Sequence, residues 1–160
     1  MQKDEIADIL KEIGVFLELK GENPFKTRAY QNGARTLEGV TEPLDKLVEE
    51  ERLADIKGSG KALAEKITEL GTTGELAYYD ELKASIPEGL IAMLNIPGLG
   101  PKKVKAVYSK LGIESVEALE QACKDSKLAE LPGFGKKTES KILEGIAVSY
   151  THLRAHETDS

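Results

Sequence analysis

Three short segments of this chain follow one pattern: an apolar anchor, a corner with two glycines at alternate positions, then a helix opening with lysine. They are Ile56-Lys57-Gly58-Ser59-Gly60-Lys61, Ile96-Pro97-Gly98-Leu99-Gly100-Pro101-Lys102-Lys103 and Leu131-Pro132-Gly133-Phe134-Gly135-Lys136. The first glycines stand at 58, 98 and 133, spaced 40 and then 35 residues apart. Aligned on those glycines, Leu53, Met93 and Leu128 correspond, as do Ile56, Ile96 and Leu131, and then Ile67, Val107 and Ile142. Self-similarity at such spacing marks one supersecondary unit used three times, which restricts the chain to folds assembled from helix pairs.

Glycine allows backbone conformations that a side chain blocks, and it lets a ligand approach the amides closely. Pro101 suits the first helical position, where no backbone donor is needed. The unpaired amides of that turn and the positive end of the helix dipole form a site for a phosphate oxygen. Lys102, Lys103 and Lys105 add charge behind Gly98 and Gly100, while Lys61 follows Gly58 and Gly60, and Lys136 and Lys137 follow Gly133 and Gly135. The expected ligand is an anion on a polymer. The unit resembles the helix-hairpin-helix motif of DNA-binding proteins, which implies a grip on phosphates through hairpin amides without reading bases.

Charge and composition narrow the reading. With 28 acidic against 22 basic residues the net charge is −6, which argues against indiscriminate nucleic-acid binding. The charges are unevenly placed, however. Lys102 to Gly112 holds four lysines and no acid, and Lys20 to Arg35 holds four basic residues and one Glu, while acids collect in Glu42 to Asp55. That is the pattern of basic ridges on an acidic body. Aromatic residues make up 5% of the chain and Trp is absent, which favours aliphatic helix packing over a β-sandwich. Cys123 is the single cysteine, so no intrachain disulfide forms and a reducing cytoplasm is the expected compartment. No apolar run approaches a membrane span, and the start carries no signal peptide.

Taken in order, Ile6, Ile9, Ile13, Phe16 and Leu17 have helical spacing over residues 4–20. Asn23-Pro24 opens a helix to about Glu38, with a capping side chain and then Pro at the first position. In its Phe25-Lys26-Thr27-Arg28-Ala29-Tyr30, two cations mix with two aromatics, and Lys26 and Tyr30 can share a face. The alternative is a solvated face with Tyr30 partly in the core. Further helices are expected from Pro43 to Glu50, from Lys61 to Leu70 with Gly71 and Gly74 bracketing a turn, from Leu76 to Ala84, and from Pro87 to Asn95. Others run from Pro101 to Leu111, from the Ser115 cap to Lys124, and from Lys136 to Val148. No alternating β-branched run is present. The expected fold is all-α: two small helical domains, residues 1–84 with the first hairpin and 88–148 with the other two. Residues 149–160 resemble a translated sequencing adapter and are set outside fold reasoning. Both histidines, His152 and His156, lie there, so no metal site from side chains is expected. The body then lacks a base for Ser–His or Cys–His chemistry, and the corners lack the spacing of a nucleotide P-loop.

Together, Asn23-Pro24-Phe25-Lys26-x-x-Ala29-Tyr30, the helix through Ala64-Glu65-Lys66-Ile67, and Ile96-Pro97-Gly98-Leu99-Gly100-Pro101-Lys102 resemble the amino-terminal part of bacterial family X DNA polymerases, over roughly residues 1–148. The resemblance implies a lyase-type domain that holds the 5′ side of a DNA gap, then fingers or thumb helices that hold the primer duplex. It implies as partner gapped or nicked double-stranded DNA, bound by a monomer away from membranes. Nucleotidyl transfer in the family uses divalent metals held by an Asp-x-Asp pair and a third Asp on the palm. None of Asp4, Asp8, Asp45, Asp55, Asp80, Asp125 and Asp159 forms that pair, so the chain reads as the front piece of such an enzyme, without polymerisation of its own. No cofactor is expected in this piece beyond a Na⁺ or K⁺ ion at hairpin carbonyls, which family structures imply. Lys66 aligns with the Schiff-base nucleophile of 5′-deoxyribose-phosphate lyase activity, Lys26 with a 5′-phosphate ligand, and Tyr30 with an aromatic beside the nucleophile. Lys61 and Arg28 stand nearby in sequence. A second phosphate-binding lysine of the animal enzymes falls at Ala62. Lys66 also reads as an ordinary exposed helical lysine beside Glu65, and the chain as a protein-interaction module without catalysis.

Overall fold

The computed structural model describes residues 2–49 and 60–158, with side chains as far as Tyr150. Every regular element among the described residues is helical, and the fold is all-α. Two compact units divide the chain, Met1–Ser85 and Ile86–Ser160.

The first unit starts with α1 (Lys3–Leu19), whose Ile6, Leu10, Ile13 and Leu17 are buried at the three-to-four-residue spacing of one helical face. Helix α2 (Pro24–Gly39) begins where its cap predicts, with Asn23 Oδ1 accepting from Phe25 N at 2.9 Å and Pro24 at the first position. It packs along α1 and buries Tyr30, Ala34 and Leu37. After α3 (Leu44–Glu49), α4 (Lys61–Thr73) buries Leu63, Ile67 and Leu70. Gly71 does not open a turn with Gly74, as expected, but stays helical. Val48 and Leu44 of α3 pack against it, their methyl carbons 3.5 and 3.7 Å from where a Cβ would stand, and that contact outweighs glycine's cost inside a helix. Helix α5 (Ala77–Ala84) is capped from α4, Glu69 Oε2 accepting from Ala77 N at 3.2 Å.

The second unit contains α6 (Glu88–Leu94), α7 (Pro101–Leu111), α8 (Val116–Lys124), a 3₁₀ turn (Leu128–Glu130) and α9 (Lys136–Thr158). Ser115 caps α8 by accepting from Ala118 N at 3.1 Å. Helix α9 runs ten residues past its expected end at Val148, since no Gly or Pro follows Gly145 to stop it. The positions matched between repeats are core positions: Met93, Leu128, Ile96, Val107 and Ile142 are at most 2% exposed, although Leu131 is only half-buried. Leu53 and Ile56 lie outside the described residues. A Cβ on Gly145 would stand 2.4 Å from Pro97 O, so α9 lies directly against the chain entering the central corner.

Candidate functional site

The two corners of the second unit have the same geometry. Gly98 and Gly133 take φ of +86° and +82°, in the left-handed region where a side chain is strained. Each turn is closed by the next amide, Leu99 N donating to Ile96 O and Phe134 N to Leu131 O, both at 3.1 Å. Leu99 and Phe134 are buried, so the corner is pinned by an apolar plug while its glycines remain outside. Nothing stands within 4 Å of where a Cβ would project from Gly98, Gly100, Gly133 or Gly135. The helical ladders begin with Val104 N to Gly100 O and Glu139 N to Gly135 O, each at 3.0 Å. The amides of Lys102 and Lys103 precede the first ladder bond of α7 and have no helical acceptor. Of the first corner, Gly58 lies outside the described residues, while Gly60 and Lys61 are exposed at the start of α4.

Charge is sorted around these corners. Lys102, Lys105, Lys136 and Lys137 are exposed, and Lys103 is half-exposed with its Nζ donating to Gly98 O at 3.5 Å. The first turn of α7 holds no acid. The acid in the first turn of α9, Glu139, is buried and accepts from Ala129 N at 3.0 Å, which turns its charge away from the corner. Spacing alone gives no sign of that inward turn.

A second cluster lies in the first unit. Lys26, Tyr30, Gly60 and Lys66 line one cavity of about 300 Å³ with Ala29, Ala62, Leu63 and Tyr78. Lys66 Nζ lies 4.8 Å from the centre of the Tyr78 ring, and Tyr78 stacks on Tyr30 with centres 6.2 Å apart and planes 9° from parallel. Burial first, and then the neighbouring Tyr78 hydroxyl, raise the Tyr30 phenol above its ordinary value, so it keeps its proton at neutral pH. Arg28 is not drawn into this cluster. Its guanidinium covers the Phe25 ring at 5.6 Å instead, and Phe25 is 76% exposed. The sequence reading missed Tyr78, because its partners lie 12 and 48 residues away; the signal available was an aromatic pair, Tyr78-Tyr79, in a short polar helix. No group of three or more His, Cys, Asp or Glu that could hold a metal occurs among the described residues.

Comparison with known proteins agrees with this architecture. Residues 1–76 match the family described as "Helix-hairpin-helix domain", and residues 90–147 match "SAM-like Helix-hairpin-helix tandem". The chain is 38% identical over 146 residues to the DNA polymerase/3′-5′ exonuclease PolX of Bacillus subtilis (strain 168), covering 91% of this chain and 25% of that protein. It is 34% identical over 68 residues to the UvrABC system protein C of Gemmatimonas aurantiaca, covering 42% of this chain and 11% of that protein. It therefore spans a small part of either relative. Repeats, all-helical units and similarity over 91% of this chain converge: the chain belongs to the helix-hairpin-helix proteins, as an amino-terminal helix-hairpin-helix region of the family X DNA polymerases.

Proposed function

We propose that this chain binds double-stranded DNA at gaps or nicks, through backbone phosphates and with little sequence preference. The observation that carries this reading is the pair of open corners. At Gly98, Gly100, Gly133 and Gly135 nothing stands within 4 Å of where a Cβ would project, the residue between each pair is plugged into the core, and lysines flank the exposed side. Amides and ammonium groups arranged so hold a phosphate oxygen and carry no information about the base. Titration of a fluorescent gapped duplex tests it. Gly98→Val forces a branched side chain into a left-handed corner, and Lys102→Glu reverses a charge there, so each should weaken binding roughly tenfold or more. If both variants bind like the parent chain, the DNA reading fails and a protein-interaction role is favoured.

A second activity draws on the first unit, where Lys66 opens into the same cavity as Lys26 and Tyr30. Lys26 offers a charge for a 5′-phosphate and Lys66 an amine for the aldehyde of a ring-opened deoxyribose, the two requirements of 5′-deoxyribose-phosphate lyase chemistry. Borohydride trapping on an incised abasic duplex should cross-link the parent chain, whereas Lys66→Ala should leave no cross-link. A Lys66→Ala chain that still cross-links removes Lys66 from the reaction.

A further inference from the structure

We propose that Tyr78 is the positioning residue for Lys66, fixing its amine so that it addresses a sugar phosphate in the Lys26 cavity; the inference rests on the lyase reading above. Tyr78 is held firmly. On one face its ring stacks on Tyr30 of α2, which is 7% exposed and has little freedom to move. At its backbone, the adjoining Ala77 amide is held by Glu69, three residues beyond Lys66 on α4. Lys66 Nζ also lies over this ring, 4.8 Å from its centre. Three helices thus contribute one side chain each to a Tyr30–Tyr78–Lys66 cluster. A free lysine side chain samples many rotamers, and the electron-rich ring face restricts where a charged nitrogen rests.

Tyr78 and Lys66 also stand between two spaces of opposite charge. The cavity of about 300 Å³ carries Lys26 and Gly60, whereas a neighbouring one of about 260 Å³ carries Glu65 and Glu69. Ala62, Lys66 and Tyr78 line both. A substrate bearing a phosphate is attracted to the first and repelled by the second, so the amine is useful only when aimed at the first.

The chemistry is balanced without a co-reactant other than water. The neutral Lys66 amine adds its lone pair to the C1′ carbonyl, and the oxygen takes up a proton. The carbinolamine loses that hydroxyl as water and becomes a cationic imine. Loss of a C2′ proton gives an enamine, whose electrons expel the 3′-phosphate oxygen as the C3′–O bond breaks. Water then hydrolyses the imine and returns the amine. The ring face attracts a cationic nitrogen such as the imine, so Tyr78 governs where the Lys66 nitrogen sits.

The test compares borohydride trapping on an incised abasic duplex by the whole chain and by Tyr78→Phe, Tyr78→Leu and Lys66→Ala. Tyr78→Phe keeps the ring and should trap within about twofold of the parent, with the same pH profile; Tyr78→Leu should be roughly tenfold slower at saturating DNA, with half-saturation unchanged. Parental rates in Tyr78→Leu overturn the assignment and leave the lyase reading standing, as does an equal loss in Tyr78→Phe. A parent chain that gives no cross-link, or a Lys66→Ala chain that cross-links fully, removes the lyase reading and this inference together. A second measurement does not depend on activity or on the leucine variant folding. With lysines reductively methylated using ¹³C, the Lys66 signal in the parent should lie upfield of free lysine through the Tyr78 ring current. A parent signal at the free-lysine position overturns the geometry.

Discussion

Thr27 is buried in α2, and among the described residues its Oγ1 has no hydrogen-bond partner. A buried hydroxyl left unbonded costs more than an apolar group of the same shape. Thr27→Val keeps the β-branched outline and should stabilise the first unit by about 1 kcal/mol, read as a rise in urea midpoint at constant m-value. Cys123 is buried in the second unit, and burial, followed by the charges of Glu139 and Glu120, raises its thiol from 9.0 to about 11. The folded chain therefore keeps a proton that the unfolded chain loses. The stability this contributes is complete below pH 9 and is lost as pH rises towards 11, up to about 2 kcal/mol. Stability measured across that window should fall more steeply in the parent than in Cys123→Ala, and identical slopes would show the thiol to be uninvolved. At this scale the sequence was a partial guide. Tyr30 could be placed between a solvated face and the core by helical spacing, but its parallel stack on Tyr78 joins residues 48 positions apart and leaves no trace in any local period.

Local chemistry decided most element boundaries. Asn23-Pro24 and Ser115 start helices because each supplies an oxygen to an amide two or three residues on, a geometry complete within the segment itself. Of the misplaced boundaries one depends on distant packing, since α4 continues through Gly71 where α3 packs, whereas α9 continues because nothing in its own sequence ends it. The repeat fares better, since its apolar positions are dictated by one supersecondary unit and all but Leu131 reappear as core in the second unit. The contact of α9 with the central corner was not readable, as Gly145 looks like an indifferent glycine within a helix. A methyl there would meet Pro97 O at 2.4 Å, one residue before Gly98. Gly145→Ala should accordingly cost about 1–3 kcal/mol and, by shifting the corner, weaken DNA binding as well. A variant with parental stability would show that the approach of α9 to Pro97 is not fixed.

At the scale of the molecule, charge distribution has to account for how a chain of net charge −6 could hold a polyanion. Net charge acts at long range and is screened over about 8 Å at physiological salt, whereas an ammonium or amide in contact with a phosphate acts inside that distance. The lysines beside Gly98 and Gly133, with Glu139 turned inward, leave local positive ridges that the acids elsewhere do not cancel. Binding that arises from such contacts releases condensed counterions, at a slope of about 0.9 per phosphate in log affinity against log salt. About four to six contacts then predict a slope near −4 to −5 and a loss of roughly 10²- to 10³-fold between 50 and 200 mM salt. Substituting Lys102 and Lys136 together by Gln should lower the magnitude of the slope by about two while leaving stability within about 0.5 kcal/mol, because both side chains are exposed. A flat salt dependence in the parent chain would instead indicate that the corners do not contact phosphates, whatever the affinity measured.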